Sequence, residues 1–356
     1  MDFYPHFCSK FSESLGNCYY DNVDPDYPRS LSHRIVKQLN RFADTLLVLT
    51  GRSPLTLLRP DFYLKNINEF KYLYDLIEDD DGRDKLIAVL LYRILGYHRV
   101  RLPLKQYMLG LIESVRRPDR MPVNFRHGYI NQYDLRQLGH ELALYCADVS
   151  VQTQFMLEQY RLAGKVEVAP GDVVIDCGGC WGDSALYFAS RQASRVYVYE
   201  FIPSNLAVFE ANLKLNPACA GAIQLVDQAV WSASGVGLSY CDSGPSSRVG
   251  EPGQYPGSTS TLSIDDLVEQ QIGTAVHFIK MDIEGAEAEA LTGAARTIAR
   301  FGPKLAISVY HKPDDMYKIP KLIKSIRPDY KFYLDYYTSV GYEVVLYAII
   351  DAASQS

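Results

Sequence analysis

The residues with the clearest chemical potential form a glycine-rich turn between two short apolar segments. The first segment, VVI, runs into Asp176, and the turn that follows reads CGGCWGD. The second segment, VYVY, ends in Glu200, about eighteen residues after Gly182. A strand, a glycine turn and an acid at the end of the next strand are typical of a βαβ unit that binds a nucleotide-like ligand, because the acid accepts hydrogen bonds from the ribose hydroxyls.

The position of Asp176 narrows the choice of ligand. The turn departs from the G-x-G-x-x-G pattern of dinucleotide-binding proteins, and a carboxylate stands where a pyrophosphate would approach. A carboxylate repels a pyrophosphate but attracts a cation. S-adenosylmethionine carries an amino group and a sulfonium, so it fits this turn, with Glu200 at its ribose. A nicotinamide-dependent oxidoreductase is the alternative interpretation of the same motif.

Polar residues also follow the later apolar segments. Asp282 and Glu284 follow FIKM, His311 follows KLAISVY, and Asp227 follows IQLV. Catalytic and binding groups gather at the carboxyl ends of parallel strands. A carboxylate or histidine there can take a proton from a hydroxyl, and Asp227 can bind the edge of an adenine. A surface position for His311 and a simple turn position for Asp227 are equally compatible with the sequence.

The cysteines and carboxylates give no clear metal site. Cys177 and Cys180 form a C-x-x-C pair, but no second pair of Cys or His residues has the spacing that zinc requires, so we interpret both as packing residues. Asp282 and Glu284 could bind a divalent cation, yet the sequence shows no third ligand. We therefore assign no metal-binding residues, and dependence on a divalent metal stays open.

The pattern after residue 151 predicts an α/β fold with a doubly wound sheet. Strands alternate with helices, which favours a parallel sheet, and the last two strands lack a helix between them, so one of them should be antiparallel. The predicted strands are 172–176, 196–200, 223–227, 276–281, 304–310, 331–337 and 343–350, and the predicted helices are 183–192, 204–216, 263–271, 285–300 and 314–325. Residues 242–261 are rich in Gly, Ser and Pro, and this composition predicts a long loop that is either disordered or functional.

The first part of the chain has a different pattern. Residues 1–150 are predicted to form a mainly helical domain ahead of the sheet domain at 151–356, with an irregular arm at 1–30 and a connection at 120–133. Apolar residues recur there at helical spacing. They are Ile35, Leu39, Phe42 and Leu46, and then Leu86, Val89, Leu90, Ile94 and Leu95.

Charge and hydropathy exclude some classes of protein. The formal net charge is -6 and the pI about 5.7, which disfavours nucleic acid as the main partner. The N-terminus lacks the basic and apolar regions of a signal peptide, and no apolar run has the length of a membrane span. We therefore expect a cytoplasmic protein, and its seven cysteines, an odd number, suit reduced thiols.

The C-terminal half resembles the FkbM family of S-adenosylmethionine-dependent methyltransferases over roughly residues 170–350. The matching pieces are VVIDCGGCWGDSALYFA, VYVYEFIPSN, STLSIDDL, FIKMDIEGAEAEAL and KLAISVYHKPDD. The resemblance implies a Rossmann-like methyltransferase fold and O-methylation, commonly of sugar or polyketide hydroxyls. The N-terminal part is similar to extensions of members tied to bacterial surface glycans, which implies a role in polysaccharide biosynthesis.

The motifs and the resemblance together imply a two-part site. The expected cofactor-binding residues are Asp176, Gly178, Gly179, Trp181, Gly182, Asp183, Ser184, Glu200, Phe201, Asn205, Asp227 and Ala229. The expected catalytic residues are Asp282, Glu284 and His311: His311 or Asp282 would take the proton of a sugar or glycan acceptor, and Glu284 would position the sugar. A non-catalytic scaffold in glycan assembly is a further alternative, and the oligomeric state stays open.

Overall fold

The computed structural model describes residues 2–17, 59–97, 99–103, 109–124 and 128–351. The helical pattern from Ile35 to Leu46 lies outside these residues. The strands are β1 (Arg116–Pro122), β2 (Tyr129–Asp134), β3 (Ala143–Cys146), β4 (Val173–Cys177), β5 (Arg195–Tyr199), β6 (Ile223–Val226), β7 (Ala229–Val230), β8 (Gly237–Cys241), β9 (Arg248–Gly250), β10 (Gly257–Leu262), β11 (Phe278–Met281), β12 (Lys304–Ser308), β13 (Lys331–Tyr336) and β14 (Val344–Ile349). The α-helices are α1 (Phe3–Gly16), α2 (Pro60–Lys65), α3 (Ile67–Leu76), α4 (Asp80–Leu95), α5 (Leu109–Val115), a single turn α6 (Asp148–Ser150), α7 (Asp183–Ser190), α8 (Pro203–Leu215), α9 (Pro217–Ala220), α10 (Ile264–Leu267), α11 (Glu287–Thr292), α12 (Ala295–Phe301) and α13 (Asp315–Ile326).

A seven-stranded sheet in the order β13-β14-β12-β11-β4-β5-β6 forms the centre of the protein. Strands β4, β5, β6, β11 and β12 run parallel to one another, whereas β14 is antiparallel to both β12 and β13. The inner strands are buried on both faces, which accounts for their nearly continuous apolar sequences. All seven predicted strands and the antiparallel strand are confirmed, with ends that differ by at most two residues.

One predicted helix is wrong in its continuity. The expected helix at 285–300 is divided into α11 and α12 around Gly293. A Cβ atom on Gly293 would lie 2.0 Å from the carbonyl oxygen of Trp231. The chain therefore passes the Trp231 backbone too closely for a side chain, and the helix is interrupted at this contact.

The predicted long loop at 242–261 is also wrong, because part of it is β-structure. Strands β9 and β10 belong to a four-stranded sheet in the order β7-β10-β8-β9. Gly257–Ser260 of β10 pair with Gly237–Tyr240 of β8 in antiparallel register. The apolar pattern gave no signal because backbone hydrogen bonds, rather than a buried apolar face, define this pairing.

The first part of the chain departs from the prediction in two places. The segment expected to be an irregular arm contains helix α1, and most of the described residues of the expected connection at 120–133 belong to strands β1 and β2 of an antiparallel sheet, β1-β2-β3. The helices share one buried core with the central sheet, in which Phe3 and Leu73 are clustered with Phe332. The domain boundary near residue 150 stays a prediction. Within the described ranges, no helix combines the length and apolar character of a membrane span.

Candidate active site

Gly178 brings two strands together at the turn after β4. Its φ of 85° is a conformation that favours glycine, and a Cβ atom here would lie 2.0 Å from the carbonyl oxygen of Asp282. The amide of Gly178 donates to the carbonyl oxygen of Tyr199, 3.0 Å away. The glycine therefore lets the ends of β4, β5 and β11 converge on one small region.

The other predicted turn residues shape the turn from within. A side chain on Gly179 would clash with Val198, and one on Gly182 would clash with Phe209. Trp181 is 2% exposed and belongs to the core beneath the turn. None of these three predicted residues lines the two cavities described next. Their geometry suits a structural contribution, and contact with a cofactor stays a prediction for them.

A first cavity of about 620 Å³ opens beside the turn. Its wall includes five residues predicted from the sequence to bind a cofactor. These are Gly178, Glu200, Phe201, Asn205 and Ala229. Asp227, in contrast, is exposed and absent from the wall, where its neighbour Gln228 lies instead.

Glu200 presents a buried carboxyl group to this cavity. Its side-chain oxygens accept hydrogen bonds from the amides of Phe201 and Ile202, both at 2.8 Å, and from Nδ2 of Asn205 at 3.1 Å. Burial raises the pKa of Glu200 to about 7, although these hydrogen bonds act in the opposite direction. The amide oxygen of Asn205 is buried and has no hydrogen-bond partner among the described residues. The wall thus holds polar atoms that a ligand could bind.

A second cavity of about 700 Å³ adjoins the first. Gly178, Cys180, Asp282 and Glu284 belong to the walls of both. The predicted residues Asp183 and Ser184 line the second cavity. The wall also contains residues that were not predicted from the sequence, among them Tyr160, Lys280, Tyr310 and Glu343. Two compartments therefore meet at a pair of carboxylates.

Asp176 lies beneath the cavities and has partners inside the protein. It is fully buried, its Oδ1 is 3.0 Å from Nζ of Lys280, and its Oδ2 accepts a hydrogen bond from Ser184 at 2.6 Å. Lys280 also donates to the carbonyl oxygen of Gly178 at 2.7 Å, which fixes the turn. The charge of Lys280 thus offsets that of Asp176, and the expected attraction of a cationic cofactor by Asp176 stays a prediction.

Asp282 connects residues from three distant parts of the chain. Its Oδ2 accepts a 2.7 Å hydrogen bond from Tyr160, and its Oδ1 accepts one from Tyr310 at 3.4 Å. Nε2 of His311 lies 3.3 Å from the same Oδ1, and Nδ1 of His311 lies 2.8 Å from Oε1 of Glu287. His311 is therefore held between two carboxylates, and it lines neither cavity.

The ionisable groups around Asp282 shift one another's pKa values. Burial lowers the pKa of His311, but the carboxylates of Glu287, Asp282 and Glu284 outweigh burial and raise it to about 10. The ring of His311 is accordingly a cation at neutral pH. Burial raises the pKa of Glu284 to about 7, with a further contribution from the charge of Asp282. Burial also raises the pKa of Glu343 above its usual range.

Backbone strain is concentrated at the same place. Among the described residues, five that are not glycine have a positive φ. Three of the five line the cavities: Cys180 with φ of 45°, and Glu284 and Glu343 with φ of 55° each. Such conformations cost about 1–3 kcal/mol each and are common at functional sites. The fold thus places these side chains at an energetic cost.

Some site residues that were not predicted from the sequence have a local sequence signal, and others have none. Lys280 and Glu287 belong to the IKMDIEGAE segment around Asp282, and a lysine inside a buried strand was a signal that it has a charged partner. Tyr160 and Glu343 lie in segments without any motif. Only the packing of distant segments reveals that these two residues reach the cavities.

Comparison with known proteins gives a family match for the second part of the chain. Residues 176–344 match the model of the methyltransferase FkbM domain, a range that begins at the turn and ends just after Glu343. The chain carries an FkbM methyltransferase domain. Tyr160 contributes to the second cavity of this domain from outside the matched range.

One solved structure in particular is similar to this chain in its fold. A crystal structure of methyltransferase FkbM from Methylobacillus flagellatus KT is 22% identical with a TM-score of 0.58, over 90% of this chain and 71% of that one. Aeropyrum pernix fibrillarin, solved with natively bound S-adenosyl-L-methionine, is 12% identical with a TM-score of 0.37, over 65% of this chain and 99% of that one. No curated protein sequence matches this chain.

Proposed function

We propose that this protein transfers a methyl group from S-adenosylmethionine to a hydroxyl group of a sugar, in a glycan or a sugar nucleotide. The observation that carries the proposal is the pair of adjoining cavities within an FkbM methyltransferase domain, whose shared wall contains the carboxylates of Asp282 and Glu284. One cavity suits the cofactor and the other suits the acceptor. The Rossmann-like assignment, a cytoplasmic location and a role in polysaccharide biosynthesis belong to the same proposal.

The first cavity fits the nucleoside part of S-adenosylmethionine. Glu200 is buried at the end of β5, and its carboxylate is available to accept from ribose hydroxyls. The unpartnered amide oxygen of Asn205 is a second acceptor in this wall. Phe201 and Ala229 supply apolar surface for a base. When bound, the cofactor supplies an electrophilic methyl group on a sulfonium.

The second cavity fits the acceptor. Displacement at a methyl group requires the attacking oxygen to be aligned and its proton to be removed. Glu284 makes no hydrogen bond within the described residues, so its carboxylate is available to a sugar hydroxyl. Asp282 lines both cavities and is the better candidate to receive the proton, whereas His311 lines neither and holds Asp282 in place.

The aromatic residues of the second cavity support a sugar as the acceptor. Tyr160 and Tyr310 lie in its wall, and their hydroxyl groups donate to Asp282. Aromatic rings offer an apolar face to the C–H groups of a sugar, and the surrounding carboxylates accept from its hydroxyls. This combination of apolar and acidic surface suits a neutral polyhydroxylated ligand.

The proposal is tested first by calorimetric titration with S-adenosylmethionine and S-adenosylhomocysteine. Saturable binding that Glu200→Gln weakens and the exposed Glu210→Gln does not would support the cofactor assignment. Formation of S-adenosylhomocysteine is then measured over a panel of sugar nucleotides and oligosaccharides. A folded protein that binds neither compound would refute the methyltransferase proposal, and turnover with non-sugar hydroxyls alone would refute the proposed acceptor class.

A further inference from the structure

Three side chains beside the two cavities have the composition of a metal site. One nitrogen of His311, one oxygen of Asp282 and one oxygen of Glu287 lie within 4.8 Å of one another. The sequence shows two carboxylates near each other but not the histidine, which arrives from the end of a different strand. Neither His311 nor Glu287 lines the cavities assigned above to the cofactor and the acceptor.

The second nitrogen of His311, Nε2, is a buried polar atom that is ion-paired with Asp282 but makes no hydrogen bond in the described residues. Only 7% of the His311 side chain is exposed, and its Nε2 makes no hydrogen bond within the described part of the chain. This atom faces Oδ1 of Asp282 across 3.3 Å. Oε2 of the fully buried Glu287 likewise has no hydrogen-bond partner. Nε2 of His311 and Oε2 of Glu287 thus both lack a hydrogen-bond partner among the described residues.

The separation of Nε2 and Oδ1 matches that of two ligands of one cation. Ligand atoms at about 2.0–2.2 Å from a metal, in neighbouring coordination positions, are roughly 3 Å apart. The contact of Glu287 with the other nitrogen of His311, at 2.8 Å, has the geometry by which carboxylates orient metal-binding histidines. The arrangement therefore includes both the ligands and the group that aligns one of them.

The local charge also favours a cation. Asp282, Glu284, Glu287 and Glu343 act on one another and on His311, and two further basic groups in the described residues act on these carboxylates, Arg248 on Glu284 and Lys280 on Asp282. Lys280, the nearby ammonium, is paired with Asp176. Buried carboxylates without sufficient positive charge are costly, and a bound divalent cation removes that cost.

We propose that this cluster binds one divalent transition-metal ion, which displaces the Nε2 proton of His311 to solvent, with Oδ1 of Asp282 and Nε2 of His311 as protein ligands and with Glu287 as the residue that orients His311. An imidazole nitrogen combined with a carboxylate favours Mn²⁺, Fe²⁺ or Zn²⁺ over Mg²⁺ and Ca²⁺, which prefer oxygen ligands. Water molecules from the cleft complete the coordination. This last step rests on the proposed function: the ion lies where it can polarise the acceptor hydroxyl.

The test measures metal binding directly, without cofactor or acceptor. The full-length protein is treated with a chelator and titrated with Mn²⁺, and the electron paramagnetic resonance signal of free Mn²⁺ is followed. We expect one saturable site per chain, from which Zn²⁺ displaces Mn²⁺ at lower concentration than Mg²⁺ does. Absence of saturable binding would overturn the proposal, and equal displacement by Mg²⁺ would overturn the histidine ligand.

Variants separate the ligands from the orienting residue. His311→Gln and Asp282→Asn should abolish the site, whereas Glu287→Gln should weaken Mn²⁺ binding about 10- to 100-fold. His277→Gln is the matched control, because His277 is exposed and immediately precedes β11 of the same sheet. Unchanged Mn²⁺ affinity in His311→Gln would overturn the assignment.

A measurement on the wild-type protein tests the site without any variant, so its result does not depend on whether the variants fold. Mn²⁺ should raise the unfolding temperature of the chelator-treated wild type, because a ligand that binds only the folded state stabilises it. No shift at saturating Mn²⁺ would count against the site. Metal binding is read here without methyl transfer, so its failure would leave the proposed function intact, and loss of S-adenosylmethionine binding would leave the metal site intact.

Discussion

The carboxylate of Asp176 and the ammonium group of Lys280 form a fully buried ion pair with an Oδ1–Nζ distance of 3.0 Å. The two residues lie at adjacent positions of the neighbouring strands β4 and β11. Lys280 extends from this pair to the carbonyl oxygens of Cys177 and Gly178, and its Nζ lies 5.1 Å from the ring centre of Tyr160. One charged pair thus ties the glycine turn to the wall of the second cavity.

Lys280→Met should destabilise the protein because it leaves the carboxylate of Asp176 buried without a cation. Removal of one member of a buried ion pair costs about 3–5 kcal/mol of the free energy of unfolding. Chemical denaturation measures the change. The exposed lysine of the Lys318–Asp314 pair gives the control, and Lys318→Met should cost at most about 1 kcal/mol.

The double variant Asp176→Asn/Lys280→Met distinguishes the ion pair from simple packing. Removal of both charges eliminates the uncompensated carboxylate, so the double variant should regain part of the stability that Lys280→Met loses. A double variant that loses the sum of the two single effects would show that Asp176 and Lys280 act independently.

Glu200→Gln should weaken S-adenosylmethionine binding about 10- to 100-fold, because a hydrogen bond to a charged group contributes about 1.5–3 kcal/mol. The amide retains the shape of the side chain but loses the charge that ribose hydroxyls favour. Calorimetric titration gives the dissociation constant. Glu210→Gln, on the exposed face of α8, should bind as the wild type does. Equal affinities of all three proteins would remove Glu200 from the cofactor site.

The pKa of Glu200 predicts how cofactor affinity depends on pH. Burial raises the pKa of Glu200 from 4.5 to about 7. Between pH 4.5 and about 7 the folded protein holds a proton that the unfolded chain has lost, so the stability of the free protein falls as the pH rises through this range. A ligand that donates to the carboxylate binds its ionised form. S-adenosylmethionine should therefore bind more tightly as the pH rises from about 6 to about 8, by up to about tenfold per pH unit below the pKa.

The Glu200→Gln variant supplies the baseline for that measurement. The amino group of the ligand also titrates, and its contribution is the same for both proteins. The difference between wild type and variant should grow with pH and level off above the pKa of Glu200. Parallel pH profiles would show that the carboxylate does not contact the ligand.

Glu284→Gln should lower kcat/KM for the acceptor roughly 10- to 100-fold while the affinity for S-adenosylmethionine stays close to that of the wild type. The carboxylate lies in the wall shared by both cavities and makes no hydrogen bond to the described residues, so an acceptor hydroxyl is its expected partner. Steady-state kinetics with the acceptor found by screening, together with calorimetry, separates the two effects. A variant that loses cofactor affinity instead would place Glu284 with the cofactor.

The matched control is Glu289→Gln. Glu289 lies on α11, a short distance along the chain, and belongs to neither cavity wall. Its kcat/KM should equal that of the wild type. An equal loss in both variants would point to a general effect of charge rather than to contact with the acceptor.

The sequence by itself determined the central sheet and one side of the cleft. Apolar runs of strand length are local signals, and so are the glycine turn and the acids that end β4 and β5. Glu200, Asp282 and Glu284 could be named because the carboxyl ends of parallel strands meet at one edge of a sheet. The strands β9 and β10 were not visible, because no buried apolar face marks their pairing.

The tertiary structure decided the rest of the site. Tyr160, Tyr310 and Glu343 come from separate segments and meet at the second cavity, and no local pattern records such a meeting. The charge of His311 was likewise undetermined, because it depends on burial and on the carboxylates that surround the ring. Sequence periodicity specifies which residues are buried along one element, whereas the partners of a charged group depend on how distant elements pack.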